Sequence, residues 1–401
     1  MTGQNSDLEK VTVLVEQFLA AHPQATTDDV ELRGARFDAG LGFPHFDAGF
    51  GGLGLDSSVA AQVERMFLDA GCADGSSRNV IGLGMGAATV HTHGTDEQRA
   101  KYLRPLFTGQ EIWCQLFSEP GAGSDLAGQA TRAVPDGDHF VVNGQKIWTS
   151  VAHVAKRGML LARTDVDQPK HRGLTYFVLD MDLPGVEVRP LRQITGQSEF
   201  NEVYLTDVRV PAADMLGSLG DGWRVSMTTL MNERVAIGRR AGRRGAGPIA
   251  VAVSAYQTAV EQGRADSADR DRLTALWTRV EAARLTNALA AATHGRGAPG
   301  PEGSIAKLQF AELNKAVFQY AVDMLGDDAM LIDDYTFVRP ETSSGSNPAI
   351  DVRKAYLRSL ANSIEGGTSE IMRNILGERV LGLPGEPRVD RDLPWKDLPR
   401  S

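Results

Sequence analysis

Cysteine is nearly absent. Cys72 and Cys114 are the only two in 401 residues, which excludes both a disulfide framework and a cysteine-rich metal site. There is no apolar run near the 18 or so residues of a transmembrane span. The start, Met1 to Asp7, is polar and carries no apolar signal core. These absences lead us to expect a cytoplasmic protein without membrane insertion. Basic charge is also in deficit, with 42 Lys and Arg against 51 Asp and Glu, a formal net charge of -9. A nucleic-acid partner, which needs a basic face, is therefore not expected. An anionic small ligand is still compatible, because a local site can be positive inside an acidic protein. No repeat or low-complexity tract interrupts the chain.

What is present is a change of character along the sequence. Length alone suggests two or three domains. From Leu8 to about Phe107, apolar residues such as Val11, Val15, Phe18 and Leu19 recur at helical spacing. Thr95-Asp96-Glu97-Gln98 reads as a capping box opening a helix. Gly40 to Gly54 reads as loop. Near Glu111 the pattern turns to short strands: Met159–Arg163, Leu174–Leu179, Val186–Val188 and Val203–Val208, with Asp136-Gly137 and Pro184-Gly185 as turns. Phe140 to Trp148 reads as a hairpin turning at Asn143-Gly144. After Gly222 the helical pattern returns. Leu313, Val317, Tyr320 and Met324 form a stripe that stops at Gly326, and loops are expected at Gly295–Gly303 and Arg339–Pro348. Helices, strands, then helices is an α+β order, not the βαβ alternation of a nucleotide-binding parallel sheet. We place the domains at 1–110 (helical), 111–218 (β) and 219–401 (helical).

Two segments carry chemical signals. Phe117-Ser118-Glu119-Pro120-Gly121-Ala122-Gly123-Ser124-Asp125 has glycines that permit tight turns and close approach to a ligand. It lacks the third glycine of GxGxxG, since Leu126 stands there, and alone it is equally a turn-rich connection. Trp148-Thr149-Ser150 offers a ring and two hydroxyls to a planar heteroaromatic ligand, although an isolated tryptophan is more often core.

Together, in this order, with Asn143-Gly144-Gln145-Lys146-Ile147-Trp148 and with Ile364-Glu365-Gly366-Gly367-Thr368-Ser369-Glu370-Ile371-Met372-Arg373-Asn374, these segments resemble the acyl-CoA dehydrogenase family. The resemblance runs from about Leu8 to Pro384. It implies an N-terminal helical domain, a central β-barrel or sandwich and a C-terminal four-helix bundle. It implies FAD between the last two domains. Phe117, Ser118, Trp148 and Ser150 would meet the flavin from one side, Gly367 and Thr368 from the other. Ser124 would lie near the phosphopantetheine arm of an acyl-CoA. The family forms dimers or tetramers, and its electrons usually leave to an electron-transferring flavoprotein.

The reaction implied needs a carboxylate to take an α-proton, a partner for the enolate oxygen, and an electron sink for the β-hydride. Many relatives carry the base in Tyr-Glu-Gly-Thr. Here Gly366 occupies the glutamate position and Glu365 the tyrosine position. A smaller branch, resembling isovaleryl- and long-chain-acyl dehydrogenases, supplies the glutamate from an earlier helix, just before an arginine. Asn232-Glu233-Arg234 matches it. Glu233 sits among Leu230, Met231, Val235, Ala236 and Ile237, where partial desolvation would raise its pKa as a base requires. Helical glutamates more often only pair with a neighbouring base. Glu233 is our leading candidate, with Glu365 second. Arg234 would orient the carboxylate or the C-terminal segment, and the backbone N–H of Gly366 would serve the thioester oxygen.

Three further features are weighed here. The Arg-x-x-Phe-Gly stretch that supplies a cross-subunit FAD arginine is replaced by Gln262-Gly263-Arg264-Ala265-Asp266-Ser267, leaving Arg264 as a poor match. His91-Thr92-His93 lacks further metal ligands nearby and reads as structural. Arg239, Arg240, Arg243 and Arg244 read as a solvated face, a subunit contact or a phosphate patch. The competing functions are an oxidase or monooxygenase on the same fold, and a catalytically silent subunit of a hetero-oligomer.

Overall fold

The computed structural model describes residues 2–23, 29–72, 78–238, 243–293, 302–332, 336–342, 351–387 and 390–399. The side chains of 2–6, 233–238 and 291–293 lie outside that description. The first third is helical: α1 (Thr2–Ala21), α2 (Asp29–Asp38), α3 (Ala60–Asp69), a π-helical turn (Gly82–Gly86) that runs into α4 (Ala87–His93), and α5 (Asp96–Thr108). Val11, Val15 and Phe18 are buried against Val63 and Phe67, as their spacing predicts. The capping box is formed. Thr95 Oγ1 accepts from the Gln98 amide at 3.3 Å, and Gln98 Oε1 accepts from the Thr95 amide at 3.0 Å. Gln98 also donates to the carbonyls of Ala213 and Met215, so the box ties this helix to the β domain. Thr95→Ala is expected to cost about 1 kcal/mol, measurable as a lowered urea midpoint with unchanged slope.

Eight strands follow: β1 (Trp113–Leu116), β2 (Arg132–Asp136), β3 (His139–Ser150), β4 (Arg157–Arg163), β5 (Leu174–Asp180), β6 (Val186–Pro190), β7 (Phe200–Pro211) and β8 (Met215–Leu216). They form one sheet in the order β6-β7-β3-β2-β4-β5-β8, with β1 parallel to β4. β4 and β5 read as unbroken apolar runs because both faces of the sheet are covered. Met159, Leu161, Tyr176 and Val178 face a core shared with Tyr102, Leu106 and Trp113. The alternate residues Leu160, Ala162, Phe177 and Leu179 face a second core with Phe140, Val208 and Val210.

One expectation is corrected. Asn143-Gly144 is not a hairpin turn; β3 runs straight through it. The turn is at Gly137-Asp138, with Gly137 at φ 63° and Asp136 paired to His139. At Asn143-Gly144 the strand carries a bulge against β7, a second use of the same dipeptide chemistry. A Cβ at 144 would lie 2.4 Å from Thr131 Oγ1, so close approach, not turn geometry, requires glycine there.

The remaining helices are α6 (Gly222–Gly238), α7 (Pro248–Glu261), α8 (Ser267–Thr293), α9 (Glu302–Asp323), α10 (Val352–Ser359) and α11 (Ser369–Arg379). Helices α6 to α9 form the bundle. Val317, Tyr320 and Met324 are buried against Ile249 and Leu273, and Gly326 follows at φ 60°. The expected loops at 295–303 and 339–348 fall largely outside the described residues. No helix among the described residues is long and apolar enough to cross a membrane.

Candidate active site

The first wall of the site is built on a buried ion pair. Lys146, fully buried, donates to Glu119 Oε1 at 2.9 Å, to Gln129 Oε1 at 2.6 Å and to the Phe117 carbonyl at 3.0 Å. Glu119 also accepts from the amides of Ala130 (2.6 Å) and Thr131 (2.8 Å). Burial alone would raise the Glu119 carboxyl. The Lys146 charge and these donors outweigh it and hold the group below its ordinary range. The pair therefore fixes the Phe117-Ser118-Glu119 backbone against β3. Phe117 is buried edge-on to Tyr176, ring centroids 5.9 Å apart, and Ser118 is half-buried. Gly121 and Gly123 face open space, and Ser124 is exposed.

The loop carrying Ser124 is held from beyond. Lys170 Nζ contacts both oxygens of Asp125, at 3.0 and 2.9 Å, and Asp390 at 2.5 Å. Residues 390–399 lie back across the β domain. Trp395 Nε1 donates to the Gly128 carbonyl, and the ring stacks under the Arg163 guanidinium at 4.5 Å.

Trp148 stands on a second irregularity of β3, where the register shifts between Lys146 and Thr149. Trp148 (φ 59°) and Val151 (φ 50°) both take left-handed backbone. For side chains of this kind that costs of order 1–3 kcal/mol each and is found where a site demands it. The result is an indole 58% exposed, touching Phe200 edge-on at 6.0 Å. A core tryptophan is excluded. The adjacent Thr149 is buried, with its hydroxyl unpartnered among the described residues, and Ser150 is half-buried. A bare ring, a buried orphan hydroxyl and a nearby serine fit a planar heteroaromatic group.

The second wall is the Glu365–Thr368 turn. Gly366 and Gly367 sit at φ 64° and 90°, which glycine alone adopts without strain. Thr368 Oγ1 accepts from the Ile371 amide at 3.2 Å and caps α11. Lys307, buried on α9, holds the turn from beneath by donating to the carbonyls of Gly367 (2.5 Å) and Asn362 (2.9 Å). Glu365 is already engaged. Arg358 donates to its Oε1 at 3.1 Å and Oε2 at 2.9 Å, and Asn362 donates to Oε1 at 2.6 Å.

Glu233 and Arg234 lie on α6, and their side chains fall outside the described residues. The backbone places position 233 four residues after Thr229 and seven after Ser226, hence on the same face of the helix. Thr229 and Ser226 are fully buried there. Thr229 Oγ1 meets Thr89 Oγ1 at 2.9 Å and the Tyr176 hydroxyl at 3.1 Å.

The lesser candidates resolve plainly. His91 stacks on Phe46, centroids 3.9 Å apart, and accepts from the Asp47 amide. His93 meets Thr228 Oγ1 at 2.7 Å. No three potential metal ligands cluster among the described residues. Arg264 donates to the Met324 carbonyl at 2.5 Å, closing the end of α9. Arg244 lies 3.9 Å from Glu281, while Arg239 and Arg240 lie outside the described residues. Sequence reading missed Lys146, Lys307, Glu199 and Arg358. The signal for Lys146 was its place within an alternating strand, where a lysine on the inward side demands a buried partner.

The chain is thus a helical domain, a central sheet that carries a bare indole, and a helical bundle followed by a double-glycine turn. The sequence matches, in order, the acyl-CoA dehydrogenase N-terminal domain (residues 9–110), middle domain (114–208) and C-terminal domain (220–381). It is 37% identical over 382 residues to acyl-CoA dehydrogenase FadE34 of Mycobacterium tuberculosis, covering 94% of this chain and 50% of that protein. The chain thus spans about half the length of that relative. It is 38% identical over 344 residues to acyl-CoA dehydrogenase IpdE1 of the same organism, covering 84% of this chain and 83% of that one. The solved structure of the Tcur3481-Tcur3483 steroid ACAD is 25% identical with a TM-score of 0.71, covering 95% of this chain and 98% of that chain. The chain belongs to the acyl-CoA dehydrogenase family. The relatives it matches are named acyl-CoA dehydrogenases.

Proposed function

We propose that this chain converts an acyl-CoA to its trans-2-enoyl-CoA with Glu233 as the base that takes the α-proton. The observation that carries the choice is the state of Glu365. Both its oxygens accept from Arg358, and Asn362 adds a third donor, so three of its four lone-pair sites are taken and the carboxylate is held toward Arg358 and Asn362. Position 233 continues the inward face of α6 instead. The Gly366 amide, on a turn clamped by Lys307, is the donor for the thioester oxygen as enolate charge develops. Arg234 orients the carboxylate, and Ser124 meets the pantetheine arm.

The exposed Trp148 ring and the buried orphan Thr149 hydroxyl suit FAD. Phe117, Ser118, Trp148 and Ser150 would hold it from the β domain, Gly367 and Thr368 from the turn. When bound, it supplies the acceptor for the β-hydrogen and its electron pair. The domain division is 1–110, 111–218 and 219–401. The protein works in the cytoplasm as a homodimer or homotetramer and passes electrons to an electron-transferring flavoprotein. A steroid-derived acyl group, suggested by the Tcur3481-Tcur3483 enzyme, stands beside straight and branched chains as candidate substrate.

The test is anaerobic reduction of the purified protein by a panel of acyl-CoAs, including a steroid side-chain thioester, followed by flavin absorbance. Bleaching by one class names the substrate. A yellow protein that none of them reduces would sink the proposal.

A further inference from the structure

The Trp148 strand and the Gly366 turn belong to different domains, and the Arg358 guanidinium reaches both sides. Arg358, on α10, donates through Nε to Glu199 Oε1 at 3.0 Å and through its other two nitrogens to Glu365. Glu199 is a residue of the β domain whose side chain is 1% exposed. Its carbonyl accepts from the Val151 amide at 2.8 Å, directly after the Trp148–Ser150 segment. A second, apolar route runs in parallel. The Arg358 guanidinium lies 5.4 Å over the Phe200 ring, and Phe200 meets Trp148. On the far side Glu365 begins the Gly366-Gly367 turn. Both of these links between indole and turn pass through Arg358.

We propose that Arg358 is a positioning residue that sets the width of the flavin cleft, and that Glu365 is its anchor on the turn, holding the Gly366 amide in place. This rests on the reading that the cleft holds FAD. The fork geometry of arginine matters: one planar group reaches two carboxylates in different directions and still presents a face to Phe200. Lysine, a point charge, cannot hold all three. The turn needs such an anchor because two successive glycines have no intrinsic preference for the conformation they adopt. The residue that aligns with the usual base position carries no side chain, and its neighbour does mechanical work in its place.

The variants separate this role from general stability. Arg358→Met alone removes a counter-charge from the buried Glu199. Arg358→Met with Glu199→Gln removes that penalty and leaves the turn held by Lys307 and Asn362 without its tie to the β domain. Glu365→Gln keeps the Glu199–Arg358 pair and weakens only the link to the turn. Apoprotein of each is titrated with FAD, following flavin fluorescence and the visible spectrum, with melting temperature in parallel. The expected result for Glu365→Gln and for the double variant is near-wild-type melting, an FAD dissociation constant raised about tenfold, and a shifted visible band. Arg358→Lys fails to restore the affinity. The pH profile of acyl-CoA reduction by Glu365→Gln keeps the limb that reports the base. FAD affinity within about twofold of wild type in both variants would overturn the proposal, as would loss of that limb in Glu365→Gln, which would make Glu365 the base. A wild-type chain that takes up no FAD would instead sink the reading beneath it.

Discussion

Glu233→Gln is expected to slow acyl-CoA-dependent bleaching of the flavin by about 10²- to 10⁴-fold, the usual contribution of a positioned general base. The substitution keeps the volume of the side chain and removes its ability to accept a proton. FAD affinity and melting temperature should stay near wild type, because the exchange is isosteric. Stopped-flow absorbance under anaerobic conditions separates the chemical step from turnover. The comparison with Glu365→Gln is decisive. Bleaching that survives Glu233→Gln and disappears in Glu365→Gln would transfer the base to the ion-paired residue and remove the anchor role argued for it.

The second large effect is structural. Lys146→Met leaves Glu119 buried without its counter-charge, and removal of one partner of such a pair costs about 3–5 kcal/mol. Such a loss lowers the unfolding midpoint by several degrees. Flavin retention should fall with it, since Lys146 also holds the Phe117 carbonyl. Lys146→Met with Glu119→Gln should recover part of the loss, because the amide strands no charge. The pH dependence fixes the cause. Glu119 is held below its ordinary value of 4.5 in the folded protein. Its contribution is thus fully present above about pH 4.5 and is lost as pH falls through the lowered folded value. The stability gap between wild type and Lys146→Met should therefore be widest near neutrality and narrow on acidification. A gap that is constant with pH would mean that packing, not charge, explains the loss.

The elements that announce themselves locally were legible. The capping box at Thr95, the apolar stripe ending at Gly326 and the runs of β4 and β5 each follow from spacing within about ten residues. Asn143-Gly144 shows the limit of that reasoning. The dipeptide's backbone preference was read correctly, but whether it makes a turn or a bulge is decided by Thr131 and by β7, neither of which is adjacent in sequence. The site divides in the same way. Phe117, Ser118, Trp148 and Gly367 stand inside recognisable segments. Arg358 bridges Glu199 and Glu365 across 159 and 7 positions, and nothing in the spacing of those three residues announces a bridge. Lys307 reaches Gly367 across 60 positions. Charged residues look alike in a sequence whether they face water or a partner; only the fold distinguishes them.

The contacts of residues 390–399 also constrain the order in which the molecule can be completed. Trp395 reaches Gly128 across 267 positions and Asp390 reaches Lys170 across 220. Closing loops of that span is entropically costly and kinetically late. During synthesis the sheet can assemble well before these residues leave the ribosome, but the Ser124 loop cannot be clamped by them until they do. A nascent chain would pass through a stage with its β domain formed and the Ser124 loop not yet clamped.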